Sequence, residues 1–284
     1  MMPRPRRALA FLRWLALGVF SAGLGISTPL AQAAPIALVT DVVGDAKLAA
    51  GPSETLKLLT ELNSGVEILV ADNAQLVVFY LADGAEYTFN GPGRYRLQVH
   101  APEALRGAAP LRKATPTVYK NLRLKTERVA QGALATRGDP ILLFPVNEVV
   151  LDGNASFAWR PYAPDVAYQF ELVDESGTRL LFAETRDTEI RLPPTMRLVP
   201  GATYYWSVRG RDAAGNTFYR PAEFRIAEPA LRNRLEAATP TADASFSERV
   251  LYAALLDQAG CVSAAQAQRR VLGVERPVGW AEPR

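Results

Sequence analysis

Two stretches of this chain hold short runs, most of them alternating apolar and polar side chains, broken by glycine-bearing turns. That period of two constrains the fold more than any other feature. In the first stretch, Gln75-Leu76-Val77-Val78-Phe79-Tyr80-Leu81 is rich in β-branched and aromatic residues, and Asp83-Gly84 follows it. This dipeptide suits the positive φ angles of a two-residue hairpin. The return run sets Ala85, Tyr87 and Phe89 on one face and Glu86, Thr88 and Asn90 on the other. After Asn90-Gly91-Pro92-Gly93, Tyr95, Leu97 and Val99 point one way while Arg94, Arg96, Gln98 and His100 point the other. The pattern predicts a half-buried antiparallel meander.

The second stretch is longer. Val149-Val150-Leu151 and Phe157-Ala158-Trp159 flank a turn at Asp152-Gly153-Asn154. Tyr168, Phe170 and Leu172 alternate with Gln169, Glu171 and Val173, and Ser176-Gly177 turns the chain back into residues 180–183. A run from Leu198 through Val208 leads to Asp212-Ala213-Ala214-Gly215-Asn216, and residues 223–226 alternate again. Turns recurring every 8–15 residues or so, with alternating strands between them, predict a β-sandwich.

Two family resemblances sit on these stretches. Val43-Gly44-Asp45-Ala46-Lys47-Leu48, then Leu62-Asn63-Ser64-Gly65-Val66-Glu67-Ile68, then residues 73–97 with Asp83-Gly84 resemble the FecR-type domain of bacterial envelope proteins. That resemblance implies envelope-associated binding or signalling without catalysis. The second stretch resembles a fibronectin type III or related immunoglobulin-like domain. Leu198, Pro200, Gly201 and Tyr204 match its tyrosine corner, where the phenol bonds back to the backbone. Trp159 matches the core tryptophan, and Trp206 and Val208 match the inward face of the strand after the corner. The resemblance implies a sandwich and a spacer or protein-binding habit, since function does not follow from fold.

From residue 228 onward the composition shifts to Ala, Leu, Glu, Arg and Gln. Pro229 suits the first turn of a short helix that Thr239-Pro240 breaks. Ser245 and Glu248 form a capping-box pair ahead of a second helix, with Val250, Leu251, Ala254 and Leu255 on one face. Gly260 ends it, and Ser263 is positioned to cap a third helix reaching about Leu272. The spacing of Tyr252, Leu255, Leu256, Gly260, Ala265 and Pro277 resembles a single tetratricopeptide-type hairpin, which needs a neighbour to bury its face. The tail is expected to pack on the sandwich or to dock to a partner. Cys261 is the only cysteine, a small buried apolar residue or an intermolecular cross-link.

The expected fold class is therefore mainly β: a FecR-like antiparallel β module (34–100), a basic linker (101–138), a fibronectin type III-like β-sandwich (139–227) and a C-terminal α-helical hairpin (228–284). Residues 1–33 read as a signal peptide of the Sec type. Arg4, Arg6, Arg7 and Arg13 precede the uncharged run 14–26, and Ala31-Gln32-Ala33 offers small side chains for cleavage near Ala33. Thirteen residues make a helix of about 20 Å, short of a bilayer core of about 30 Å. No second apolar run is long enough to span, so the expected product has no transmembrane segment after cleavage and lies in the periplasm.

Charge is segregated. Removing the four arginines of residues 1–34 takes the formal charge from +3 to −1, yet residues 103–137 hold eight basic side chains against Glu103 and Glu127. The mature chain is thus not a basic nucleic-acid binder. Its connector, through Arg112, Lys113, Lys120, Arg123 and Lys125, is a solvated linker or a contact for an anionic surface. A Ser-His-Asp hydrolase would have to use His100, the only histidine, and no Gly-x-Ser-x-Gly elbow occurs. One histidine and one cysteine cannot build a zinc site of those ligands. No glycine-rich phosphate loop is present. The residues predict a protein that is not an enzyme and uses no cofactor or metal. Its expected role is a periplasmic adaptor or sensor that binds an envelope protein or peptidoglycan. Tyr205, which faces opposite to Tyr204 and Trp206, and Tyr162 and Tyr219, which lie beside turns, are the candidate contacts. The alternatives are a regulatory component of FecR-type sigma-factor signalling and a carbohydrate-binding envelope protein.

Overall fold

The computed structural model describes residues 34–50, 55–120, 122, 142–163, 165–211 and 215–273. The expected signal peptide lies outside the described residues. The fold is mainly β, as the alternation requires. Strands β1 (Ala37–Val43), β2 (Ala46–Leu48), β3 (Glu61–Leu62), β4 (Glu67–Val70), β5 (Gln75–Tyr80), β6 (Ala85–Asn90), β7 (Gly93–Leu97), β8 (Pro102–Arg106) and β9 (Leu111–Ala114) build the first module. They form two antiparallel sheets, β3-β1-β5-β6-β9 and β2-β4-β7-β8. Ala85, Tyr87 and Phe89 do point into the core between these sheets, with Val39, Leu76, Val78, Tyr95 and Leu97. Val99 does not join them. It lies beyond the end of β7 and is 52% exposed.

Two expectations change here. The β5–β6 connection is a four-residue turn, 81–84, in which only Gly84 takes a positive φ (73°). Asp83 instead accepts the Ala85 N–H at 2.9 Å, an Asx turn that removes the need for a second left-handed residue. The expected linker begins with two strands: β8 pairs with β7, and β9 with β6. Both are edge strands, where proline and small residues are tolerated because no second neighbour needs their hydrogen bonds. Residues 123–138 of that linker lie outside the described residues.

Strands β10 (Leu142–Phe144), β11 (Glu148–Val150), β12 (Ser156–Trp159), β13 (Ala167–Asp174), β14 (Arg179–Thr185), β15 (Glu189–Arg191), β16 (Thr203–Arg211) and β17 (Thr217–Ile226) make the second module. It is a sandwich of sheets β10-β12-β15 and β11-β17-β16-β13-β14, all antiparallel except β11 beside β17. Trp159, Trp206, Phe157, Phe170 and Phe224 fill its centre, with Phe157 ring centroids 5.0 to 5.6 Å from those of Phe170, Trp206 and Phe224. The tyrosine corner forms: the Val199 N–H donates to the Tyr204 hydroxyl at 2.8 Å.

Helices α1 (Pro229–Ala237), α2 (Phe246–Gln258) and α3 (Val262–Val271) follow. The Ser245–Glu248 capping box is made in both directions. Burial on α2 is wider than one face and includes Tyr252, Ala253 and Leu256. A helical stretch apolar on every side belongs in an interior, and residues 250–256 of α2 lie in one. Its cluster joins Leu38 and Phe79, on the outer face of the first module's five-stranded sheet, to Leu235, Leu251 and Leu255. The tail therefore packs chiefly on the first module. It reaches the second as well: Arg232 of α1 donates to Leu151 O at 3.0 Å, while Arg234 donates to Val118 O at 3.3 Å.

Two carboxylates lock this arrangement. Glu86, expected to face solvent, is buried because α2 covers it, and it accepts the Ser247 hydroxyl at 2.6 Å. Ser263 does not cap α3, whose N-cap is Cys261. Instead its N–H and hydroxyl both donate to Glu148 of β11, at 2.9 and 2.8 Å. A carboxylate at a helix N-terminus satisfies orphan donors and favours the dipole. Cys261 is 1% exposed, so a cross-link to another chain would require this cluster to open.

Candidate functional site

Strand alternation sorts the side chains of β16 between two environments. Tyr204, Trp206 and Val208 are buried in the sandwich core. Tyr205, Ser207 and Arg209 share the outer face of the five-stranded sheet. Tyr205 lies opposite Val173 on one side and Glu223 on the other, and Arg209 lies between Gln169 and Tyr219. Between these rows, Ser207 sits beside Glu171 and Pro221, and Phe182 faces Glu171 from β14. Three rings stand exposed on one face: Tyr205 at 40%, Tyr219 at 56% and Phe182 at 41%. Tyr205 and Tyr219 are separated by four residues along the ladder, about 13 Å at strand rise, with small side chains between them.

The polar groups of this face are organised. Glu171 accepts from Arg179 Nε at 2.6 Å and from Arg209 at 3.5 Å. The Arg179 guanidinium also lies 5.3 Å from the Phe182 ring centroid, a cation–π distance. Gln169 donates to Glu184 at 2.9 Å. At one end the face runs into a groove of about 660 Å³ between β17, β11 and the helices, with Glu223, Arg225, Leu231 and Gly260 among its walls. Tyr205 stands directly across the ladder from Glu223, at the mouth of that groove. The face thus offers stacking surfaces, forked donors and carboxylates for holding a ligand.

The other expected contacts separate. Tyr162 is half-buried, its ring centroid 4.7 Å from that of Phe218 at the end of the sandwich core. Its N–H donates to the Tyr168 hydroxyl at 3.0 Å. It therefore does not share a surface with Tyr219, whose neighbour Phe218 faces inward. Arg112 and Lys113 are exposed on edge strand β9, each near a carboxylate, Asp83 at 3.5 Å and Glu248 at 3.3 Å. Lys120 is exposed just after a short 3-10 turn, Thr117–Tyr119. Arg123 and Lys125 lie outside the described residues. His100 is exposed beyond β7. Among the described residues, no group of three or more His, Cys, Asp or Glu side chains gathers as a metal site would need.

A second cluster was hidden in the sequence because it depends on register. On the outer face of β2-β4-β7-β8, Glu67 receives Nε and Nη2 of both Arg94 (2.8 and 2.5 Å) and Arg96 (3.1 and 2.6 Å). These hydrogen bonds, Arg96 first and then Arg94, hold the Glu67 carboxyl below the usual carboxylate range. Beside them is a cleft of about 520 Å³.

No protein-family model matches the chain, and no curated protein sequence does. Among solved structures, CopC from Methylosinus trichosporium OB3b aligns over 32% of this chain and 95% of its own, at 12% identity and a TM-score of 0.24. A two-domain fibronectin type III segment of chicken tenascin aligns over 68% and 86%, at 12% identity and a TM-score of 0.20. Both likenesses are weak. No helix among the described residues is long and apolar enough to cross a membrane.

Proposed function

We propose that this protein is a non-catalytic binding component of the bacterial cell envelope. It is exported through residues 1–33, cleaved near Ala33, and holds a protein or cell-wall glycan partner in the periplasm. Its first module is FecR-like and its second fibronectin type III-like. The contact surface is the outer face of the sandwich's five-stranded sheet, with Tyr205 and Tyr219 as the principal groups. The helical tail acts as an internal brace between the modules and as one wall of the adjoining groove.

One observation carries this reading. Three large rings are exposed together on a sheet face that no described element covers, while the sandwich core already buries eight aromatic side chains. Exposed rings with polar neighbours mark interaction sites. The test is retention of the mature chain on purified peptidoglycan and on immobilised envelope proteins. Replacing Tyr205 and Tyr219 together by alanine should weaken retention about tenfold or more, as removal of central aromatic contacts does. Unchanged retention by a folded double variant would remove the proposal.

A further inference from the structure

The cleft on the first module is bordered by a cross-strand row that breaks an ordinary rule of sheet pairing. Lys47 of β2 lies opposite Leu69 of β4, Leu69 opposite Arg94 of β7, and Arg94 opposite Arg106 of β8. Like charges directly opposite destabilise a sheet. The pairing arises from a register shift. Tyr95 faces Ala104 while Arg94 faces Arg106, so Leu105 is an extra residue in β8. In an unbroken ladder Leu105, not Arg106, would stand opposite Arg94. Such bulges re-aim side chains and are found beside functional sites.

Acids stand beside the other cations, Glu103 lying 3.8 Å from Arg96, and leave Arg106 as the one without a carboxylate among the described residues. Glu67 is shared between Arg94 and Arg96. Lys47 has Asp45 at 2.8 Å, and Asp72 also lines the cleft. Arg106 is exposed and has no carboxylate partner among the described residues. Leu69, 41% exposed, supplies an apolar floor between the cations.

We infer that this cleft binds a phosphate-bearing ligand, with Arg106 forking its oxygens, Arg94 donating from the nitrogen that Glu67 leaves free, Lys47 at the rim and the ligand's apolar or sugar portion over Leu69. Guanidinium forks match phosphate geometry. The site lies on a different module from Tyr205 and Tyr219, so it stands or falls independently of them.

Calorimetric titration of the mature chain tests it with inorganic phosphate, glucose 1-phosphate, glucuronate, and vesicles of phosphatidylglycerol or phosphatidylcholine. Binding of either phosphate compound, or of the anionic vesicles alone, supports the site and tells a soluble phosphate from a lipid headgroup. Arg106→Gln should weaken that binding about tenfold or more, while Arg112→Gln on β9 should leave it intact. Without ligand, Arg106→Gln should melt at or above the wild-type temperature, because a like-charge pair is gone. A purely structural arginine would give the opposite shift. No binding in any arm, preference for glucuronate, or equal binding by Arg106→Gln would each overturn the inference.

Discussion

Replacing Leu251 by alanine probes whether the helical tail belongs to the fold. Leu251 is fully buried on α2, in one cluster with Leu38 of β1 and Phe79 of β5. The substitution removes three carbons, and at about 0.8 kcal/mol per buried methylene the transfer loss is about 2.4 kcal/mol. A residual cavity adds to this, so the expected destabilisation is about 3–5 kcal/mol. Urea unfolding followed by far-ultraviolet circular dichroism measures it, with Val271→Ala as the control. Val271 is 80% exposed on α3, and its truncation should change stability by no more than about 0.5 kcal/mol. Amide exchange supplies the second reading: protection in β1 and β5 should fall along with that in α2. A loss below about 1 kcal/mol, or β1 and β5 protection untouched, would mean that the tail is an appendage and that the first module folds without it.

The remaining expectations concern single groups. Tyr204→Phe should cost about 1 kcal/mol in thermal unfolding, because the Val199 N–H loses its acceptor; an unchanged melting temperature would deny the corner any role. Glu67 is held below its ordinary value of 4.5 by Arg96 and Arg94, so its contribution is present above that pH and is lost as pH falls through the lower folded value. Glu67→Gln should therefore be less stable than wild type at pH 7 and match it in strong acid, read from melting curves across pH. Burial pushes the Tyr119 hydroxyl up to about 12 from 10, and it donates to Ala238 O at 3.0 Å. Its stabilisation is present below pH 10 and lost as pH rises through about 12, so Tyr119→Phe, about 1 kcal/mol weaker at pH 7, should lose that deficit across the same window in alkaline urea titrations.

Local patterns carried most of the strand and helix positions. Alternation at residues 85–89 and 168–172, the capping box at Ser245 and the corner at Tyr204 each depend on neighbours within a few residues, and each is present. The tail's destination depends on contacts far apart in the chain. One signal was available: Leu76 to Tyr80 run apolar without a polar break, and a strand without alternation is buried on both faces, as β5 is. That meant something must cover the second face of its sheet, and α2 does. The edge strands β8 and β9 were concealed by proline, alanine and glycine, which such strands tolerate. Tyr205 was legible from its parity against Tyr204 and Trp206. Tyr162 was not, because its placement against Phe218 follows from the closing of the sandwich. The Arg94–Arg106 opposition exists only through the bulge at Leu105, which no local pattern announces.

Retention on purified envelope fractions by the wild-type chain and by its Tyr205→Ala/Tyr219→Ala variant, compared at equal melting temperature, bears most directly on the sheet face as a binding surface. The account predicts that the wild type is retained and that the variant washes off at about a tenth of the affinity or less. Equal retention of the two proteins would contradict it.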